Sequence, residues 1–493
     1  MKIVSAQTMR ELDRRTIAAG IPGEELMQTA GEGLADAIRR LAGNHQLVDS
    51  PVLFMAGCGN NGGDAFVAAQ CLYEDDWPIE CWLAGAPQKL KGDALICFKQ
   101  MKKAGVPLRI LETPEAWQEV LACGTDAEII VDGLLGTGAS GEPRGLIANA
   151  LEFIQAQRAL IVAIDIPSAM AVRADLTVTM GLPKTTLLQP ENIDFVGNLE
   201  VVDIGIPPEF IEAADPDAEL EFIHPTDLMP LFPRRPRNSH KGTFGHLLCI
   251  GGSKGFSGAI TLASRAAARA GAGLVSACVP ESIYPVVAPA IPEIMVHTQH
   301  PESDFTAILA GPGMGRTEAT RTQILHLLKT AACPLLLDAD AITVLAKDTD
   351  AIAAANTPVI LTPHPGEMAA LLGLKTNEVQ EDRLGIAKMA ADRLNATIVL
   401  KGAGTLIAAP KQPLAINLTG NPGMASGGSG DVLAGLLAGL IAQGLAPYPA
   451  ACAAVWLHGY AGDLAAAEKA QLSLIATDLI EKLPAAFREI SCR

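Results

Sequence analysis

The sequence predicts an α/β protein built from two doubly wound domains. Three observations carry this. Short apolar runs alternate with Ala-rich helical stretches in both halves, the loops after those runs are rich in Gly, Asp or His, and a proline-dense interval separates the halves. At roughly 100–200 residues per domain, 493 residues make two or three domains. A hydrophobic share of 49% supplies a large core and excludes a disordered chain. With 37 basic and 54 acidic residues the net charge is −17, which argues against a nucleic-acid binder. Aromatics at 4% argue against base-stacking platforms.

The N-terminal half opens with two helices. Ser5 is placed to cap the first, whose apolar positions Met9, Leu12 and Ile17 fall on one face, and Gly20 with Pro22 stops it. The second is expected from about Glu24 to Leu41, ending near Gly43. Four buried parallel strands are then expected at 52–57, 79–85, 129–136 and 160–167, with helices between them.

From Pro207 to Pro236 the alternation fails. Seven prolines fall here, with an acidic stretch and the basic PRRPRNSHKG, a linker composition. Domains at 1–215 and 225–490 are therefore expected. The alternation restarts with strand-then-loop units at 246–252, 273–280, 307–313, 334–340, 358–366 and 397–402. In open α/β sheets ligands bind beyond the carboxyl ends of the strands, so these loops should meet at one site. The uncharged stretch Val432–Leu457 is broken by Gln443, Pro447 and Pro449 and reads as two packed core helices, not a membrane span. The ten cysteines form no Cys-x-x-Cys pair, and the charged N-terminus is unlike a signal peptide, so a soluble cytoplasmic protein with reduced thiols is expected.

In the first half, GCGNNGGD (57–64) follows a strand and opens a helix. Gly57, Gly59 and Gly62 fit Gly-x-Gly-x-x-Gly, but the next strand ends on LAGAP instead of the acid that a dinucleotide dehydrogenase needs there. The asparagine pair says more. Asn60 and Asn61 offer carbonyl oxygens, while Gly62 and Gly63 admit an anion close to the backbone. Asp132 lies at the end of a later strand, and Asp165 and Ser168 end the next. Asn61, Asp132 and Ser168 are thereby candidates to converge on a hard cation. The loop GTGASGE (136–142) is a second phosphate-friendly element. The competing reading is that the acids cap helices and the glycines make turns.

GCGNNGGDAFVAA, VDGLLGTGASGEPRG, AIDIPS and ADLTVTMGLPK together resemble the NAD(P)H-hydrate epimerase domain over about residues 1–215. The resemblance implies a Rossmann-like three-layer sandwich. The implied activity interconverts the R and S forms of nicotinamide cofactors carrying water on C6 of the ring. It implies that Asn60, Asn61, Gly62, Gly63 and Asp64, with Gly136, Thr137, Gly138, Ala139, Ser140, Gly141 and Glu142, bind the hydrate. It further implies that Asn61, Asp132 and Ser168 hold potassium and that Asp165 is the acid/base beside the ring. One departure stands out. IDIPSAMAVRADLTVT lacks the family's Thr-Gly-containing loop, and Ala169 replaces a glycine, which strains the turn if φ is positive there.

The strongest signal is NPGMASGGSGDVLAGLLAGLIAQG (421–444). A Gly-rich loop leads into a helix whose free N–H groups favour phosphate, and Asp431 at its start is placed to take the proton of a hydroxyl attacking a phosphoryl group. No Gly-Lys-Ser/Thr follows, so this is not a Walker loop. Lys401 reads either as a phosphate contact or as a solvated strand-end lysine. His364, between two prolines, reads either as a substrate contact or as structural.

With HKGTFGHLLCIGGSKGFSGA, GPGMGR, LDADAI, TPHPGE and LKGAGTLIA, this segment resembles the ribokinase-like ADP/ATP-dependent NAD(P)H-hydrate dehydratases over about residues 225–490. The fold implied is a second three-layer sandwich. The resemblance implies that Lys401, Gly402, Ala403, Gly404, Thr405 and Gly430 bind ADP. It implies that Ala259, Gly315, His364 and Asp431 contact the hydrate and that Gly427–Gly430 forms an anion hole; Mg²⁺ on the nucleotide is expected from the logic of phosphoryl transfer. The partners expected are NADHX, NADPHX and ADP, with homo-oligomers and no nucleic acid or membrane. Two alternatives stay open at this point: a ribokinase-class small-molecule kinase releasing a stable phosphorylated product, and an N-terminal domain that only binds.

Overall fold

Buried Val, Ile and Leu runs form one parallel sheet in the N-terminal unit. Its strands are β1 (Val52–Ala56), β2 (Ile79–Leu83), β3 (Leu108–Ile110), β4 (Ile129–Gly133), β5 (Leu160–Ile164), β6 (Leu176–Met180) and β7 (Asn198–Val202). The order is β3-β2-β1-β4-β5-β6-β7, and every pairing is parallel. The computed structural model describes residues 1–138, 142–189, 191–214 and 220–491. Contacts divide the chain into two compact units, Lys2–Ala218 and Glu219–Arg493 with Met1.

Strand direction alternates side chains between two helical layers. Leu53 and Met55 of β1 join Trp82, Trp117 and Phe153 in a cluster with helices Pro114–Cys123 and Leu146–Ala156. Helix Asn60–Glu74 packs with helices Gly23–His45 and Gly92–Ala104, where the Phe66 and Phe98 rings meet edge to face at 5.2 Å. The chain leaves β1 toward β2 and returns to β4 on β1's other side. That reversal opens a crevice at the carboxyl ends of β1 and β4.

The second unit holds β8 (Leu220–Phe222), β9 (His246–Ile250), β10 (Leu274–Cys278), β11 (Met295–His297), β12 (Ala307–Ala310), β13 (Leu335–Leu337), β14 (Val359–Leu361), β15 (Thr397–Leu400), β16 (Thr405–Ala408) and β17 (Leu414–Asn417). Their order is β11-β10-β9-β12-β13-β14-β15-β16-β17-β8. Only β15–β16 and β16–β17 pair antiparallel among the described strands. Again the order reverses beside the first strand of the alternation, between β9 and β12. Both sheets are the doubly wound α/β type predicted.

The uncharged stretch is indeed two helices, Ser429–Ala442 and Pro447–Lys469. Among the described residues no helix is long and apolar enough to cross a membrane. Small residues let Ser429–Ala442 approach helix Ser257–Arg269 closely: a Cβ on Gly435 would lie 1.9 Å from the Ala263 carbonyl oxygen. Ser5 caps helix Ala6–Ala18 by accepting the Thr8 N–H. One expectation for that helix fails. Ile17 is 47% exposed, and Thr16 takes the buried position. The strands also stop before their apolar runs do, because the last residues of each run already belong to the loops beyond the carboxyl ends.

The glycine contacts yield a test. Gly435→Ala gains helix propensity but drives a methyl into backbone, so a net loss of about 1–3 kcal/mol is expected. Gly258, with nothing within 4 Å of its Cβ position, is the control. Chemical denaturation should show Gly258→Ala neutral or stabilising and Gly435→Ala destabilising.

Candidate functional site

The N-terminal crevice is a cleft of about 860 Å³. Asn60, Asn61, Asp64, Gly136, Thr137, Gly138 and Asp165 line it, joined by Asp13 and Lys184. Gly62, Gly63 and Glu142 do not line it. Gly62 sits against the Gly57 carbonyl and Gly63 against Met27, so both serve packing, while Glu142 is exposed. Ala139, Ser140 and Gly141 lie outside the described residues.

Asp165 leaves β5 at φ 66°, and the Ile166 N–H donates across it to the Ile164 carbonyl at 2.8 Å. This is the rarer positive-φ form of the γ-turn, a strained conformation for a residue with a side chain. The turn aims the carboxylate at Lys184, which is 1% exposed and 2.5 Å away. Lys184 also donates to Thr179 Oγ1 at 2.9 Å and to the Met180 carbonyl at 2.6 Å. Two further carboxyls face this pair. Burial pushes Asp13 up to about 6, with Lys184 opposing and Asp165 adding to the rise. Burial and then Asp165 hold Asp64 well above the usual carboxylate range.

Asn61, Asp132 and Ser168 meet around the main chain that follows β4. Asn61 donates to the carbonyls of Leu135 and Ile164 at 3.1 and 2.8 Å. Ser168 donates its hydroxyl to Asp132 Oδ1 at 2.6 Å and its N–H to Oδ2 at 2.8 Å, and its Oγ accepts the Leu135 N–H at 2.9 Å. Asp132 is fully buried, and burial raises its carboxyl despite these bonds. Ala169 follows at φ 57° and Met170 at φ 50°, so the shortened turn is strained where the Gly is missing.

In the second unit the strand-end loops converge on Asp431, in the first turn of helix Ser429–Ala442. Lys401 is not a free surface lysine: its side chain is 19% exposed and paired with acids. It donates to Asp338 Oδ1 at 2.9 Å, lies 3.8 Å from Glu367 Oε2, and sits 3.4 Å from where a Gly430 Cβ would be. Burial alone would lower its pKa, but Asp338 and Glu367 outweigh it and the net shift is upward. Burial and Asp338 push Asp431 up to about 7, with Lys401 opposing. Asp340 receives the Gly315 N–H at 2.8 Å, and Ala259 borders Gly313 of the same loop. His364 is a helix cap whose Nδ1 accepts the N–H groups of Gly366 and Glu367, and its ring is half exposed.

Four contributors have no role assigned from the sequence. Asp13 reaches the first cleft from the N-terminal helix, and Lys184 ends the ADLTVTMGLPK run after β6. His458 donates from Nε2 to the Ser429 carbonyl at 2.9 Å and fixes the first turn of the Asp431 helix. Burial lowers His458 to about 4, so the ring is neutral at physiological pH. Asp463 takes the Gly420 N–H at 2.8 Å and the Asn421 amide at 2.9 Å.

Residues 247–485 match the family described as NAD(P)H-hydrate dehydratase, and residues 23–186 match the YjeF-related protein N-terminus. The chain is 37% identical to the bifunctional NAD(P)H-hydrate repair enzyme of Moorella thermoacetica, over 99% of this chain and 97% of that one. Against the Escherichia coli enzyme of the same name the identity is 35%, over 94% and 89%. Among solved structures, the ADP/ATP-dependent NAD(P)H-hydrate dehydratase of Bacillus subtilis, co-crystallised with ATP and Mg²⁺, is 36% identical. It aligns at TM-score 0.51 over 55% of this chain and 98% of that one.

The buried Asp165–Lys184 pair predicts a stability pattern. Lys184→Met strands a buried carboxylate and should cost roughly 3–5 kcal/mol. Adding Asp165→Asn should recover most of that loss, measured by denaturation of the full chain in the transition of this unit.

Proposed function

We infer how the two sites work from one premise: this chain belongs to the family of bifunctional NAD(P)H-hydrate repair enzymes, with an epimerase domain followed by a dehydratase domain. The observation that carries the dehydratase reading is the place of Asp431, in the first turn of a helix and beside Lys401, where burial and Asp338 push its carboxyl up to about 7. A base poised near the working pH combines a useful ionised fraction with driving force for proton transfer. We propose that Asp431 takes the proton of the C6 hydroxyl of the S hydrate as that oxygen attacks the β-phosphoryl group of ADP. AMP departs, and the first-turn amides after Gly428 hold the developing charge. The ring nitrogen's lone pair then expels phosphate from C6, and loss of a proton from C5 to solvent reforms the C5=C6 double bond of NADH or NADPH. His458 holds this turn in place, and Lys401 to Thr405 with Gly430 receive the nucleotide, while Ala259, Gly315 and His364 border the hydrate.

Magnesium fits as a passenger of the nucleotide. Among the described residues no three His, Cys, Asp or Glu side chains gather to hold a metal, and Mg²⁺ commonly rests on substrate phosphates with one or two carboxylates. Potassium fits the oxygen donors Asn61, Asp132 and Ser168, because the buried Asp132 carboxylate has, among the described residues, only hydroxyl and amide donors and no cationic partner. A bound cation would supply the charge that stabilises that carboxylate.

In the first cleft we propose Asp165, oriented by Lys184, as the acid/base that assists departure and return of the C6 hydroxyl. The R hydrate then feeds the S-specific dehydratase. The kinase alternative, which releases a stable phosphorylated product, is the outcome that would overturn this reading.

Absorbance recovery at the reduced-nicotinamide band, with S hydrate and ADP, is the direct assay. Asp431→Asn should lower it at least 10²-fold, in the range of a lost general base. Because Asp431 must be ionised, kcat/KM for dehydration should rise about tenfold per pH unit up to about 7 and level off above. A pH-independent profile contradicts the assignment. With pure R hydrate and ADP, the native chain should consume R faster than it epimerises unaided, and Asp165→Asn should abolish that excess.

A further inference from the structure

The helix Arg383–Leu394 begins with an arginine whose guanidinium lies under the loop between β15 and β16. Its Nη2 donates to the carbonyls of Leu400 and Gly404 at 3.3 and 3.1 Å, and its Nη1 to the carbonyl of Lys401 at 3.4 Å. Gln380 supplies the remaining side-chain contact at 3.4 Å, and among the described residues no carboxylate pairs with Arg383. Gly402 is what admits the guanidinium: its φ is 143°, and a Cβ there would lie 2.7 Å from Nη1.

The consequence lies on the other side of the loop. Gly402 and Thr405 close a small internal ring, the Gly402 N–H meeting Thr405 Oγ1 and that hydroxyl donating to the Gly402 carbonyl at 2.8 Å. Among the described residues the N–H groups of Ala403 and Gly404 find no partner, although Gly404 is buried. Buried N–H groups without partners are rare and call for a ligand or water. The loop thus presents carbonyls to one fixed cation and keeps amide donors for something else. A guanidinium without a counter-anion also places a positive charge behind a loop meant for a polyanion.

We propose that Arg383 is the positioning residue of the nucleotide loop, gathering three carbonyls so that the amides of Ala403 and Gly404 stand ready for ADP. This rests on the placement of ADP at residues 401–405. Its forked donors suit the task, which a lysine meets only in part.

The test uses the full chain, with ADP affinity by calorimetry and KM for ADP and for S hydrate by absorbance recovery. Arg383→Met should raise both the Kd and the KM for ADP at least tenfold, with KM for the hydrate within twofold. Arg383→Lys should recover part of that loss. Should Arg383→Met fail to fold, Gly402→Ala decides, since it displaces the guanidinium without removing its charge and should give the same ADP-selective defect. Thr405→Ala separates the two levels of the argument. If it leaves ADP affinity unchanged, the nucleotide placement is wrong. If it weakens ADP binding while Arg383→Met and Gly402→Ala do not, the positioning role is wrong.

Discussion

Asp431 is a half-buried carboxyl at the one end of a helix where negative charge is welcome. Burial and the neighbouring Asp338 oppose its ionisation, while Lys401 favours it, and the balance falls near neutrality. Moving any of these groups would change that balance. Lys401 is held by Asp338 and Glu367, Glu367 receives the His364 N–H, and Asp338 receives the Thr362 hydroxyl at 2.7 Å. The proposed base is therefore set by a network drawn from the ends of β13, β14 and β15, and a doubly wound sheet brings those ends side by side.

The helix that carries Asp431 has to be rigid for this to work. Its glycines sink it against helix Ser257–Arg269, and its first turn is tied by His458 to helix Pro447–Lys469. Nearly every residue of Ser429–Ala442 is buried, which explains why the segment from Val432 onward reads in sequence as an uncharged run rich in Leu, Ala and Gly. The first unit applies the same logic with different chemistry. There a strained turn at Asp165 and an almost inaccessible Lys184 fix one charge pair at a strand-end crevice, with Asp13 and Asp64 close enough to feel its field.

The central strands were legible because a buried parallel strand is an unbroken apolar run, and the Asp431 loop because glycine and acid at a helix start have a local chemical meaning. The edge strands β3, β7 and β11 were not, being short or half-exposed. Ile17 was misplaced because one helical turn offers Thr16 or Ile17 to the core, and packing chose Thr16. Lys184, Asp13, His458 and Arg383 act through partners far along the chain, so no spacing rule announces them. His364 shows the reverse: its setting between two prolines drew attention to the substrate, while its nearest partners are the backbone amides it caps.

In the proposed dehydration the C6 oxygen leaves as part of phosphate. S hydrate carrying ¹⁸O in its C6 hydroxyl, turned over with ADP, tests this directly. The label should appear in inorganic phosphate, because that oxygen is phosphorylated before the C6–O bond breaks. Label released as water would contradict this, since the hydroxyl would then have departed without ever being bonded to phosphorus.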